Sequence, residues 1–166
     1  LILNSANGQI IEPVQWKFSV EQTNATEATL ILKATIDAPY HIYSQSNVGG
    51  IGLPVEFTFK KSKDYERVGK VTEPIAKEEY DKTENVTLKY FEKEVVFRQK
   101  IKIKSDAKFT ITGTTYHQAC NSEGCLLPVE MDATFEINKD AKGDDKLTQA
   151  TVCLLYTSPS PRDAHE

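Results

Sequence analysis

The stretch Val95-Val-Phe-Arg-Gln-Lys-Ile-Lys-Ile103 places Val95, Phe97, Ile101 and Ile103 on one side and Arg98, Lys100 and Lys102 on the other. A period of two is the signature of a strand with one face against a core and one in water. The same alternation recurs outward from this stretch. Val14, Trp16, Phe18 and Val20 alternate with Gln15, Lys17 and Ser19; Ala28, Leu30, Leu32, Ala34 and Ile36 repeat it, as do Val55, Phe57 and Phe59. Phe109 with Ile111, and Met131 with Ala133, Phe135 and Ile137, complete the set. Breaks rich in turn residues separate them at 21–27, 37–39, 47–52, 105–107 and 121–124. Only Pro74 to Lys82 has a faintly helical look, and it is too short and polar to bury a face. About eight such strands predict an all-β chain, two antiparallel sheets packed as an immunoglobulin-like β-sandwich. A small closed barrel is the alternative that alternation alone leaves open.

The chain has 166 residues, enough for one core. Leu, Ile, Val and Phe make up roughly a quarter of it, above the ~20% floor of disordered sequences. A net charge of −4 and a pI near 5.5 argue against a nucleic-acid binder, which needs a basic footprint. No apolar run approaches the ~18–20 residues of a membrane-spanning helix, so no direct membrane insertion is expected. Residues 1–8 lack the basic flank and long apolar run of a complete signal peptide, so the chain reads as mature or clipped at its start. We read residues 1–138 as the domain, 139–150 as a charged linker and 151–166, with Cys153, as a non-native or disordered tail.

Several motifs have bland readings. Asn47-Val-Gly-Gly-Ile-Gly-Leu-Pro54 is glycine-rich but lacks the helix and Lys-Ser/Thr pair of a phosphate cradle, so it reads as a flexible loop. Lysines at 60, 61 and 63 and at 100, 102 and 104 read as solvated strand faces that resist edge pairing. No Ser-His-Asp or paired-carboxylate arrangement stands out by spacing.

The informative segment is Thr114-Thr-Tyr-His-Gln-Ala-Cys120-Asn-Ser-Glu-Gly-Cys125-Leu-Leu-Pro128. Residues 121–124 form a turn-rich connection, so Cys120 and Cys125 should face each other across the mouth of a hairpin, within reach of a disulfide. A bond closing so short a loop is worth only about 2 kcal/mol in the chain-entropy model. It cross-links what the hairpin already holds, which favours a pair that opens and closes by thiol–disulfide exchange. Three readings stand beside this one: a structural hairpin bond, a metal site using His117, Cys120 and Cys125, and two inert thiols.

Six segments in order resemble the N-terminal periplasmic domain of the thiol:disulfide interchange protein DsbD. They are Asp37-Ala-Pro-Tyr-His-Ile-Tyr-Ser44, Leu53-Pro-Val-Glu-Phe57, Tyr65-Glu-Arg-Val-Gly-Lys70, Tyr90-Phe-Glu-Lys-Glu-Val-Val-Phe97, Tyr116-His-Gln-Ala-Cys120 and Cys125-Leu-Leu-Pro128. The similarity covers about residues 10 to 138. It implies an immunoglobulin-like protein-disulfide reductase module that uses no cofactor and no metal. Its implied partners are thioredoxin-like periplasmic proteins and a transmembrane electron-transfer domain, in a periplasmic or otherwise exported location. By the resemblance Cys125 forms the mixed disulfides and Cys120 resolves them. The family's flanking aromatic pair maps onto His41 and Tyr43, with Tyr116 and His117 also near the site. The family's cap loop maps onto the stretch containing Glu78, Glu79, Tyr80, Asp81 and Phe91.

Overall fold

The computed structural model describes residues 10–49 and 51–138. The linker and tail read from the sequence, with Cys153, lie outside the described residues. Among the described residues twelve strands follow one another: β1 Val14–Gln22, β2 Glu27–Ile36, β3 His41–Tyr43, β4 Glu56–Phe59, β5 Tyr65–Thr72, β6 Lys77–Asp81, β7 Val86–Phe91, β8 Lys93–Ile103, β9 Phe109–His117, β10 Ala119–Asn121, β11 Gly124–Cys125 and β12 Val129–Ile137. They form three sheets, ordered β1-β2-β8-β5, β12-β9-β4 and β11-β10-β3-β7-β6. Every strand pairing within these sheets is antiparallel.

The alternating segments become the strands β1, β2, β4, β8, β9 and β12, and their apolar sets turn inward as expected. Leu30, Leu32, Phe97, Ile101, Ile111, Phe135 and Ile137 are all fully buried. Phe97 of β8 is the hub of the aromatic core, with ring centroids 5.9 Å from Trp16, 4.8 Å from Phe57 and 5.8 Å from Phe91. Those partners come from β1, β4 and β7, so one side chain ties together all three sheets. Met131, expected inward, stands 38% exposed at the start of β12, where the strand runs beyond the core.

The expectation of about eight strands falls short because half of the twelve carry little periodic signal. β3, β10 and β11 are two or three residues long, too short for alternation to show. β6 is the faintly helical stretch. Lys77–Asp81 instead pairs residue by residue with β7, and that ladder supplies backbone hydrogen bonds that so short a helix could not sustain alone.

Gln99 breaks the apolar face of β8, and it is fully buried. Its Nε2 donates to the carbonyl oxygens of Val68 and Gly69, each at 3.3 Å, and of Lys100 at 2.8 Å. The β5–β8 register shifts between Val68 and Thr72, which takes carbonyls there out of the ladder. The side chain thus supplies the donor that the irregular backbone lacks.

Candidate functional site

The five-stranded sheet has an inner face, where Ala119, Ile42 and Phe91 join the core, and an outer face that builds the site. At its edge β10 and β11 form a tight hairpin with Asn121 opposite Gly124 and Cys120 opposite Cys125. Only Ser122 and Glu123 remain unpaired in the turn, a shorter loop than the four residues expected. The Glu123 N–H donates to Asn121 Oδ1 at 2.9 Å, and Gly124 closes the turn at a φ of 143°, a conformation that favours glycine. Cys120 and Cys125 are joined in a disulfide, with their Cα atoms 4.0 Å apart. Their environments differ sharply: Cys120 is 1% exposed, whereas Cys125 lies open to solvent.

On the other side of Cys120 lies β3, where His41 is its register partner. The His41 ring sits 5.1 Å from Tyr43 and 4.9 Å from Tyr90, centroid to centroid. Burial lowers the His41 pKa, against an opposing pull from Glu92 and Glu79. Burial also raises the pKa of Tyr43 and of Tyr90, and the carboxylate of Glu79 adds to both. The Tyr90 hydroxyl donates to Glu79 Oε2 at 3.2 Å. Together with Ile51, Tyr80, Asp81, Lys82, Leu88 and Asn121, these side chains line a cleft of about 380 Å³ beside the hairpin.

The glycine-rich loop forms part of this site. Gly52 has a φ of +85°, and a Cβ built there would lie 1.8 Å from Tyr43 Cε2, so the backbone rests directly on the tyrosine ring. Gln118 then ties the loop to the hairpin: its Oε1 accepts from the Leu53 N–H at 3.1 Å while its Nε2 donates to the Leu126 carbonyl at 3.0 Å.

Of the residues singled out from the sequence, the structure gathers His41, Tyr43, Glu79, Tyr80 and Asp81 around this cleft, with Cys120 and Cys125 in the hairpin that reaches it through Asn121. It sends others elsewhere. His117 is 3% exposed and faces the core, accepting the Trp16 indole N–H on Nδ1 at 3.2 Å. Burial pushes its pKa down to about 4. Tyr116 lies on the opposite side of β9, half-buried between Glu56 and Glu130. Phe91, placed in the cap by its position in sequence, is instead a core residue opposite Ile42, because the alternation along β7 turns it inward. Glu78 pairs with Lys89 at 3.3 Å, away from the cleft face of the β6–β7 hairpin. Among the described residues no group of three or more His, Cys, Asp or Glu side chains is arranged to hold a metal ion. The metal reading is disfavoured on geometry, since the His117 ring is engaged with Trp16 and the two cysteines are bonded to each other. Sequence reasoning missed Tyr90, Gln118 and Glu92 as site residues; strand pairing brings Tyr90 there, and Gln118 and Glu92 are the single residues that join β9 to β10 and β7 to β8.

Residues 8–137 match the family described as thiol:disulfide interchange protein DsbD, N-terminal. The chain belongs to this family. It is therefore a thiol–disulfide exchange module, with its disulfide pair at Cys120 and Cys125. A comparison with curated proteins produced no match. Among solved structures, the reduced DsbD N-terminal domain of Neisseria meningitidis is similar at 12% identity and a TM-score of 0.50, covering 76% of this chain and 91% of that one. The structure of the complex between the DsbD and PilB N-terminal domains of the same organism matches at 11% identity and a TM-score of 0.52, covering 87% and 96%. The N-terminal periplasmic domain of ScsB from Proteus mirabilis matches at 17% identity and a TM-score of 0.48, covering 78% and 49%. At such identities the DsbD likenesses speak to the fold, which is the immunoglobulin-like all-β sandwich expected from the alternation.

Proposed function

We propose that this module relays two electrons at a time between thioredoxin-like partners through Cys120 and Cys125, acting as a protein-disulfide reductase. The observation that carries this reading is the unequal burial of the two sulfurs. Exchange requires a thiolate to reach one sulfur of the disulfide, and access selects which one is attacked. A partner thiolate reaches Cys125 Sγ; the Cys120–Cys125 bond breaks, and Cys120 leaves as a thiolate. The partner's second thiol then attacks the mixed disulfide, leaving the partner oxidised and this module reduced. In the delivery half-reaction the Cys125 thiolate attacks a target disulfide, and Cys120 attacks Cys125 Sγ to release the reduced target.

The aromatic and acidic cleft next to the cysteine hairpin supports a protein partner docking on this face of the sheet. The Neisseria complex of DsbD and PilB N-terminal domains supports the same class of encounter. A solvent-facing disulfide persists in an oxidising compartment, which supports a periplasmic or otherwise exported location. The electrons would reach the module from a transmembrane electron-transfer domain, by way of a thioredoxin-like domain.

A Cys120→Ser variant incubated with a periplasmic extract tests the reading. It should accumulate mixed disulfides with thioredoxin-like proteins through Cys125, and Cys125→Ser should capture none. A reduction potential below about −300 mV, together with no capture, would instead identify a structural bond in a binding module.

A further inference from the structure

We propose that His41 carries the proton of Cys120, taking it when the buried thiol must become a thiolate and returning it when that thiolate leaves the disulfide, with Glu92 supporting the imidazolium. This rests on the exchange reading above and deepens it.

The residues form a row across the outer face of one sheet. Cys125 on β11 is opposite Cys120 on β10, and Cys120 is opposite His41 on β3. The β3–β7 register pairs Ile42 with Phe91, and Glu92 follows directly after β7, where its carboxylate acts on the His41 imidazole. Directly opposed antiparallel residues have Cβ atoms ~4.5–5.5 Å apart, which sets the His41 side chain next to Cys120 on the same face of the sheet. The Glu92 carboxylate is in turn hydrogen-bonded to the Lys77 ammonium of β6. The His41 ring is held by Tyr43 on its own strand and by Tyr90 on β7. The charged groups facing this region are Glu92 and, from the β6–β7 hairpin, Lys77, Glu79, Asp81 and Lys82.

The chemistry asks for such a group. Cys120 is almost wholly buried, and burial raises a thiol's pKa because the thiolate loses its hydration. Unaided, the resolving step would wait on a rare ionisation. With the disulfide closed, burial shifts His41 toward its neutral form, the one that accepts a proton. In the resolving step Cys120–SH passes its proton to the imidazole. The thiolate attacks Cys125 Sγ, the Cys120–Cys125 bond forms, and the bond from Cys125 to the partner breaks. The electron pair departs on the partner's sulfur, which takes up a proton. The module is oxidised by two electrons and the partner is reduced by two. In the reverse direction the imidazolium returns the proton to the leaving Cys120 thiolate.

Reduced protein mixed with 5,5′-dithiobis(2-nitrobenzoate) in a stopped-flow instrument separates the two roles. Cys125 attacks first and releases one thionitrobenzoate; Cys120 then attacks the mixed disulfide and releases the second in a unimolecular phase. At about pH 7, His41→Gln should slow the second phase at least about tenfold, with the first phase within about twofold of wild type. The gap should close at alkaline pH, where the thiol ionises alone. The wild-type second phase should show an inflection in the acid-to-neutral range that His41→Gln abolishes and Glu92→Gln moves to lower pH. His41→Tyr keeps an aromatic ring against Tyr43 and Tyr90 and should be as slow as His41→Gln. Unchanged second phases and pH profiles in both His41 variants overturn the inference, as does a His41→Tyr variant as fast as wild type, which would assign the effect to ring packing. A wild-type protein that releases only one thionitrobenzoate would overturn the exchange reading itself.

Discussion

The indole N–H of Trp16 donates to Nδ1 of His117 at 3.2 Å, joining β1 to β9 across 101 residues of sequence. The bond needs a neutral imidazole, and burial holds the His117 pKa at about 4 against 6.5 for an unperturbed histidine. Between those values the unfolded chain binds a proton that the folded one refuses, so stability rises with pH. The contribution is complete above about pH 6.5 and is lost as the pH falls toward 4, at up to ~1.4 kcal/mol per pH unit. Urea unfolding across that window should show this slope. His41, also lowered by burial, adds in the same direction. His117→Gln should flatten the profile, and an unchanged slope in that variant would exclude His117 as its source.

Gln99 satisfies backbone carbonyls with a donor set in the middle of an apolar strand face. Gln99→Leu keeps the bulk and removes the donor, and should cost about 2 kcal/mol in chemical denaturation. Gln99→Glu should cost more near neutral pH, where a carboxylate would face carbonyl oxygens, and should recover relative to wild type in acid as it gains a proton. Equal stability of Gln99→Leu and wild type would show that the carbonyls find other donors.

Gly52 and Gly49 form a matched pair in the glycine-rich loop. Both have positive φ, +85° and +76°, but only Gly52 lies against a neighbour, the Tyr43 ring. Gly49→Ala should cost only the backbone penalty, about 1 kcal/mol. Gly52→Ala adds overpacking against a buried tyrosine and should cost about 2 to 4 kcal/mol. Because Tyr43 packs edge-to-face against His41, exchange should slow as well. Thermal melts of the two variants, together with exchange rates, check the difference; equal effects would mean that Tyr43 moves aside freely.

The two cysteines should also differ as thiols. After reduction, iodoacetamide should modify Cys125 at least about tenfold faster than the buried Cys120, as mass spectrometry of timed samples would reveal. The double variant Cys120→Ser, Cys125→Ser should lose only about 2 kcal/mol of stability, since the loop that the bond closes is short. Equal alkylation rates would remove the asymmetry on which the proposed function rests.

The sequence alone determined the fold class, because the long strands carry their instruction locally. In Val14–Val20, Ala28–Ile36 and Val95–Ile103, solvent and core select opposite sides of the same strand. It also determined the cysteine hairpin, since a five-residue separation with turn residues between leaves little geometric choice. Tertiary structure decided what surrounds that hairpin. β3, β6 and β7 are too short or too polar to announce themselves, and only their pairing puts His41 beside Cys120, Tyr90 on His41 and Phe91 in the core. Residues adjacent in sequence part company for the same reason. His117 and Gln118 point to opposite sides of the chain, one into the Trp16 core and the other to the loop over the site. Which cysteine faces water was likewise settled by packing: Cys120 lies between two strands, whereas Cys125 sits on the sheet's edge, and exposure follows from that difference.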